Sequence, residues 1–339
     1  MVPDRIENTD ELEDLLSRPA PGVSEDLAAV EGDLLILGVG GKVGPTLARM
    51  AKRAAPRKRV VAVARFSDPD VRRRLESWDI ETISCDLFDR SALDALPALP
   101  NVIFMVGRKF GTTNDEPRAW ATNVYLPGMV AERFAASRIV AFSTLCVYPF
   151  APVDGPGFSE KDPPGAGGEY CSSCIGRERM FQHFSQLRGT AGRLIRLNYA
   201  IDLRYGVLHD VAMRVWQAQP IDLTTPLANV IWQGDSNAQI LRAFRHCTSP
   251  TSPLNVGAPE HTSIRAVAER FGELFSKQPR FCGEPAATAW INDTSEAARL
   301  FGPPTVPLDR MIAWTADWIS RGMLDYHKPT RYEVRDGRF

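Results

Sequence analysis

Tyr170, Cys171, Ser172, Ser173 and Cys174 follow one another in a stretch with a helical pattern, and Thr144 closes an apolar, strand-like run. A phenol and an alcohol held together can pass a proton to a substrate oxygen and fix that oxygen by a hydrogen bond. A tyrosine with no cation beside it titrates near ~10, so at neutral pH it gives a proton readily and takes one poorly. Cys174 and Arg177 follow Tyr170 at helical spacing, which places all three on one helix face. Lys109 and Arg108 end another strand-like run and offer a cation to the same site, whereas Arg177 reads as a solvated helix residue. The candidates for catalysis are therefore Thr144, Tyr170, Cys174 and Lys109.

Cys171 and Cys174 form a C-x-x-C pair, and Cys146 is expected near them across a cleft. Three thiols at one place raise the question of a metal or a redox pair. Cys85, Cys247 and Cys282 make no second pair, and no two of the 5 histidines have ligand spacing. The expectation is no metal and buried, inert thiols, with Cys174 filling space.

The elements that must position these groups begin at Asp33-Leu34-Leu35-Ile36-Leu37, a run suited to a parallel strand buried on both faces. It ends in Gly38-Val39-Gly40-Gly41-Lys42-Val43-Gly44, and a helical pattern follows. Strand, glycine turn and helix aim backbone N–H groups at a pyrophosphate, so Gly38, Gly40, Gly41, Lys42, Val43 and Gly44 are read as a dinucleotide loop. Gly38 allows the tight turn, Gly41 the approach of phosphates, and Gly44 the packing of helix on strand. A second strand, Arg59 to Val63, ends at Ala64-Arg65 with Ser67 beyond it. An acid roughly 20 residues past the glycines would hold a ribose hydroxyl, but Ala64 occupies that place. Arg65 offers a fork of donors to a phosphate, so NADP(H) is favoured, with NAD(H) the second option.

Further strand patterns at 81–85, 101–106 and 138–142 end at Asp86-Leu87, at Gly107-Arg108-Lys109 and at Ser143-Thr144. Helical stretches intervene, notably 115–137. Strands alternating with helices specify a parallel sheet with helices on both faces and ligands beyond the strands' C-terminal ends. The fold class expected is α/β, a Rossmann-type doubly wound parallel sheet with a smaller C-terminal substrate lobe. The divisions expected are a helical extension at 1–32, a dinucleotide-binding domain at 33–200, and a substrate lobe with a tail at 201–339.

Lys+Arg 40 against Asp+Glu 41 leaves no field to attract nucleic acid or an anionic membrane surface. The longest apolar run is far too short to span a bilayer. No secretory signal is visible at Met1-Val2-Pro3-Asp4-Arg5, and few cysteines in a long chain suit a reducing compartment, so a cytoplasmic location is expected.

In order along the chain, these motifs resemble the extended short-chain dehydrogenase/reductases, the NAD(P)-dependent epimerase/dehydratase family. The family's G-x-x-G-x-x-G is similar to Gly38, Gly41 and Gly44, and its adenine-contacting pair to Asp86-Leu87. Its helix-borne Asn looks like Asn123, its Ser-Ser/Thr-x-x-Val-Tyr segment like Ser143 to Tyr148, and its active tyrosine like Tyr170. Ile195 to Tyr199, with Asn198, is similar to its sixth strand, Asp235 to a late acid, and Leu254 to Gly257 to its "Y-N-V-G". The resemblance implies a nicotinamide enzyme, an oxidoreductase or an epimerase, acting on a small sugar-like molecule and dimerising through 115–137 and 169–188. It also implies a lysine where this chain has Cys174, and the Asp-Glu of the dehydratases where it has Leu145 and Cys146. The missing lysine leaves a dinucleotide-sensing or scaffold protein as a reading from another class.

From about residue 200 helical patterns at 207–219, 235–247, 262–277 and 308–322 are separated by Pro-rich connectors. Arg204 and Trp232, with Arg108 and Cys146, are the candidates for contacting substrate. The charged tail from Lys328 reads as a strand or a docking segment.

Overall fold

The computed structural model describes residues 2–111, 115–165 and 167–338. Strands β1 (Leu34–Leu37), β2 (Val60–Ala64), β3 (Glu81–Ser84), β4 (Asn101–Phe104) and β5 (Arg138–Thr144) come first. Then follow β6 (Ala151–Pro152), β7 (Gly192–Leu197), β8 (Tyr199–Ile201), β9 (Pro220–Asp222) and β10 (Leu227–Trp232). The last are β11 (Ser252–Val256), β12 (His261–Ser263), β13 (Arg280–Cys282) and β14 (Thr288–Ala289). Seven of them form one sheet in the order β11-β7-β5-β4-β1-β2-β3, and every neighbouring pair is parallel.

Successive residues of a strand face opposite ways, and β1 shows the consequence. Leu34 and Ile36 join the core on one face, under the helices α2 (Val23–Ala29) and α3 (Gly44–Ala54). Leu35 and Leu37 join the core on the other, with side chains from α5 (Arg90–Ala95), α7 (Leu126–Arg133) and α8 (Glu169–Arg188). All four side chains are buried, which is why the strand reads as a continuous apolar run. The doubly wound parallel sheet expected from the sequence is the architecture observed.

The stretch expected to be helical at 115–137 is interrupted. After α6 (Glu116–Trp120) one π-helical turn, Ala121–Tyr125, precedes α7, with Pro117 and Pro127 in the first turns of the two α-helical pieces. A π turn widens the ring of backbone bonds and re-aims a side chain, often at a functional site. Here the buried side chain it aims is Asn123.

The second lobe packs α9 (Val207–Trp216), α11 (Ile264–Phe275) and α13 (Leu308–Ser320) around a separate core. Leu12 and Leu16 of the first helix, α1 (Thr9–Leu16), insert into it. Val23 and Leu27 of α2 insert into the first-lobe core instead, so the extension at 1–32 belongs to both. β11 returns from the second half of the chain to the edge of the main sheet beside β7. β10 pairs with β8 and β12 in a small mixed sheet. No helix among the described residues is long and apolar enough to cross a membrane.

Candidate active site

The glycine turn behaves as its residue types demand. Gly38 has φ 90, and a Cβ there would lie 2.6 Å from the Val106 side chain. A Cβ on Gly44 would lie 2.1 Å from the Val39 carbonyl oxygen, so only glycine lets α3 start against the loop. Nothing lies within 4 Å of a Cβ position at Gly41, which leaves that backbone approachable. α3 has no side-chain cap and no acid in its first turn, so its first N–H groups and positive dipole end remain available to an anion. A cleft of about 580 Å³ opens in front of this turn.

Gly38, Gly40, Gly41, Arg65, Ser67, Asp86, Leu87, Gly107 and Arg108 all line the cleft. The size, the open glycine backbone and the uncapped helix fit a dinucleotide. Arg65 and Ser67 are exposed at its rim. Asp68, which the sequence reading passed over, also lines it, but one of its oxygens accepts from the Asp70 N–H and caps α4 (Pro69–Ser77).

Other loop and strand residues turn elsewhere. The Lys42 ammonium sits 3.0 Å from the centre of the Tyr205 ring, and burial, with Lys328 nearby, pushes its pKa down to about 8. Val43 packs into the α3 core, and Gly44 is enclosed. Asn198 is buried and donates to Asn292 rather than facing the cleft. The space beside it is filled by Gly257, where a Cβ would lie 2.4 Å from the Asn198 amide.

At the other end of the site, Tyr170 opens α8 and packs against both Cys146 and Cys174. Tyr170 and Cys174 share a hydrogen bond. Burial raises the Tyr170 pKa well above its ordinary value, thiols Cys174 and Cys146 add to this, and Arg177 opposes it. Cys174 is fully buried, and burial pushes its thiol up to about 11. Thr144 ends β5, and its hydroxyl accepts from the Cys146 N–H at 3.2 Å.

Cys146, like Cys171 and Cys174, is buried as the sequence suggested. Its sulfur accepts a hydrogen bond from Cys171, which lowers its pKa against the cost of burial, and Lys109 and Thr144 lower it further. The same contact raises Cys171. Lys109 donates to the Thr330 carbonyl at 3.1 Å, and burial lowers its pKa while the neighbouring thiols oppose that shift. Among the described residues no group of three or more His, Cys, Asp or Glu side chains could hold a metal ion.

Three expectations need correction. Arg177 is buried, not solvated: it donates to the Phe142 carbonyl at 3.0 Å and to Asn123 Oδ1 at 2.6 Å. Its guanidinium lies under Gly107, where a Cβ would approach it to 2.7 Å. The helix face shared with Tyr170 was read correctly, but what covers that face is the end of β4 and the π turn. Arg204 does not face a pocket. It is 2% exposed, pairs with Asp202 at 2.6 Å, and reaches Glu13 of α1 at 3.0 Å. Trp232 is 1% exposed and packs at 5.2 Å from Trp314 in the second-lobe core. Both serve packing: Arg204 is enclosed by Asp202, Glu13 and the Tyr326 ring, and Trp232 by the second-lobe core.

Asn123 ties the site together. It accepts from the Arg108 N–H, donates to the Arg108 carbonyl, and donates to Ser173 Oγ, which itself donates to the Tyr170 carbonyl. Sequence reasoning missed the layer beneath. Glu178 and Arg196 form a buried ion pair at 2.7 Å, and Ser143 and Tyr148 bond to it. The signal was available in part, because Glu178 follows Cys174 and Tyr170 at helical spacing on one face.

Many solved structures are similar to this chain, among them the following three. MoeE5 in complex with UDP-glucose and NAD is 20% identical, with a TM-score of 0.69 over 86% of this chain and 99% of its own. The UDP-glucose 4-epimerase of Thermotoga maritima with UDP-glucose is 15% identical, with a TM-score of 0.71 over 86% and 99%. The dTDP-glucose 4,6-dehydratase of Bacillus anthracis in complex with NAD is 12% identical, with a TM-score of 0.73 over 86% and 97%. At these identities the likeness is one of fold. No curated protein matches the sequence. Residues 34–199, the stretch that carries the glycine turn, Thr144 and Tyr170, match the NAD dependent epimerase/dehydratase family.

Proposed function

We propose that the protein is an NAD(P)(H)-dependent oxidoreductase acting on a carbonyl or hydroxyl group of a sugar-like or polyhydroxylated small molecule. The observation that carries the reading is a half-buried phenol, raised in pKa and fixed at the start of α8, in a chain whose dinucleotide-sized cleft begins at an uncapped helix. When bound, the nicotinamide supplies or accepts a hydride. Tyr170 gives the proton to the substrate oxygen, and Thr144 holds that oxygen. Arg177, locked by Asn123 and the Phe142 carbonyl, supplies the fixed positive charge nearest the phenol. A phenol that holds its proton so firmly suits reduction better than oxidation. Support for a sugar-like substrate comes from similar structures that hold UDP-glucose.

An epimerase working through a keto intermediate is the second reading, favoured by the likeness to a UDP-glucose 4-epimerase. It needs Tyr170 as a base as well as an acid, which burial opposes. A sensor without turnover is the third, favoured by Cys174 in place of a lysine. Absorbance at 340 nm and product stereochemistry across UDP-hexoses, dTDP-hexoses and free aldoses separate them. Stoichiometric NADPH or NADH loss supports the reductase, and inversion without net cofactor change the epimerase. Cofactor binding with neither overturns both.

The cofactor we infer is NADP(H), through Arg65 and Ser67 at the cleft rim, with the adjacent acid Asp68 engaged in capping α4. In calorimetric titration Arg65→Ala should weaken NADPH about 10-fold or more and leave NADH nearly unchanged, as expected for a lost guanidinium–phosphate pair. Equal affinities in the native protein would defeat the preference. The reading also includes a cytoplasmic homodimer, and a division of labour in which 33–200 holds the cofactor and 201–339 the substrate.

A further inference from the structure

The chain beyond α13 forms no strand or helix from residue 323 to 338, yet it is tied across the Tyr170 side of the site. Its first part is pinned. Thr330 donates through N–H and Oγ1 to Asp210 at 2.7 and 2.5 Å, and Tyr332 is 1% exposed within the second-lobe core. The Thr330 carbonyl takes the Lys109 ammonium. Beyond Tyr332 the contacts are fewer and lie on the chemistry itself. Val334 packs on the cluster of Leu145, Cys146, Cys171 and Trp290 that Tyr170 also touches. The Arg335 guanidinium sits 3.9 Å from the centre of the Phe150 ring and donates to the Thr288 carbonyl at 2.9 Å. Gly337 lies against Gly168, two residues before Tyr170, so closely that a Cβ on Gly168 would be 2.9 Å from its Cα.

The open cleft stops short of this region. It is lined by the glycine turn, the ends of β2, β3 and β4, and α6 to α7, whereas Thr144, Tyr170, Cys146 and Lys109 are absent from its walls. The cofactor half is thus open, and the half next to Tyr170, where Tyr170 and Thr144 are half-buried, is partly covered by residues 334–337.

We propose that residues 333–338 are a strap, hinged at the buried Tyr332, that closes the substrate half of the site and must lift for substrate to reach Tyr170. This rests on the reading of Tyr170 as the proton donor. Glu333 pairs with Arg214 at 3.4 Å, and Arg335 also donates to the Thr224 carbonyl and to Thr288 Oγ1. A segment held by these part-buried polar bonds and one valine, with no strand or helix of its own, opens locally at lower cost than the cores on either side. The pinned part does not move with it, so Lys109 keeps its Thr330 partner while Cys146 and Cys171 become accessible.

Access can be read without any substrate, by peptide-resolved alkylation of the native protein with iodoacetamide. Exposed Cys282 serves as the reference for reactivity, and Cys247, outside the site, as the reporter of general unfolding. In Arg335→Ala and in Val334→Asp, Cys146 labelling relative to Cys282 should rise about tenfold or more. Cys247 labelling, thermal midpoint and NADPH or NADH affinity should stay as in the native chain. Unchanged Cys146 labelling in both variants overturns the strap, and so does a rise that Cys247 matches. The result is independent of turnover: a lifted strap in a protein that reduces nothing keeps this inference and defeats only the oxidoreductase reading.

Discussion

Tyr170 and Cys174 meet through one hydrogen bond, and the question at the scale of residues is which of them works. A buried thiol held near 11 is neutral at pH 7 and offers little to a cofactor. The phenol is the acid we propose. Tyr170→Phe should cost on the order of 10²–10⁴-fold in NAD(P)H turnover on whichever hexose the panel identifies, the usual range for a lost general acid. Cys174→Ala should leave turnover and cofactor affinity within a few fold. Full activity in Tyr170→Phe with none in Cys174→Ala would make the thiol the working group. The sequence named both residues correctly as neighbours on a helix face. It misjudged Arg177 on that same face, because helical spacing tells which side chains align and not what lies over them.

At the scale of elements, β5, β7 and α8 are joined by a buried ion pair that no motif announced. Glu178 is wholly buried, and Arg196 donates to both its oxygens and to the Tyr148 hydroxyl. Burial lowers the Arg196 pKa, but hydrogen bonds and the charge of Glu178 outweigh it and the guanidinium stays charged. Replacing Glu178 with Gln strands that charge, and breaking a buried pair from one side costs about 3–5 kcal/mol. Urea unfolding of Glu178→Gln should show a loss in that range, and a loss under ~1 kcal/mol would mean that water or another group takes over. Ser143 of β5 also donates to Glu178, so the pair ties α8 to two neighbouring strands of the sheet. The π turn plays the matching part on the other side, through Asn123 and Ser173.

Two properties belong to the whole molecule. The first is Asp210, which links α9 to the chain's end. Burial pushes it up to about 6 from an ordinary 3.8, against the bonds from Thr330. A carboxyl raised in the folded state favours the protonated form, so its contribution to stability is fullest below ~4 and falls as pH rises towards 6. The loss is at most of order 3 kcal/mol, from about two units at 1.36 kcal/mol each. Asp210→Asn keeps an acceptor for Thr330 and cannot ionise. Relative to the native protein it should gain stability in urea unfolding between pH 4 and pH 7, and parallel curves would refute this. The second is self-association. Tyr125, 63% exposed on the π turn, and Leu187, 59% exposed on α8, stand on the two helices proposed to pair. Apolar side chains of this size left in water on adjacent helices suit a partner surface. Tyr125→Glu should shift a dimer to monomer in light scattering after gel filtration, and a native protein already monomeric would end the idea.

What the sequence determined by itself was local. Leu34 to Gly44 spells strand, turn and helix start, because apolar runs and glycines act through backbone geometry and neighbours a few residues away. The same local logic put Thr144, Lys109 and Gly107 at strand ends, and hence at the ligand edge of a parallel sheet. Tertiary structure alone decided which groups meet. Arg204 reaches Glu13 across 191 positions, and Lys109 reaches Thr330 across 221. Neither partner shares a period or a motif with the other, so a pattern of spacing cannot reveal the contact. Arg204 and Trp232 looked like pocket residues for that reason: their types suit a binding surface, and only the fold shows that Glu13 of α1 has already taken the one and Trp314 the other.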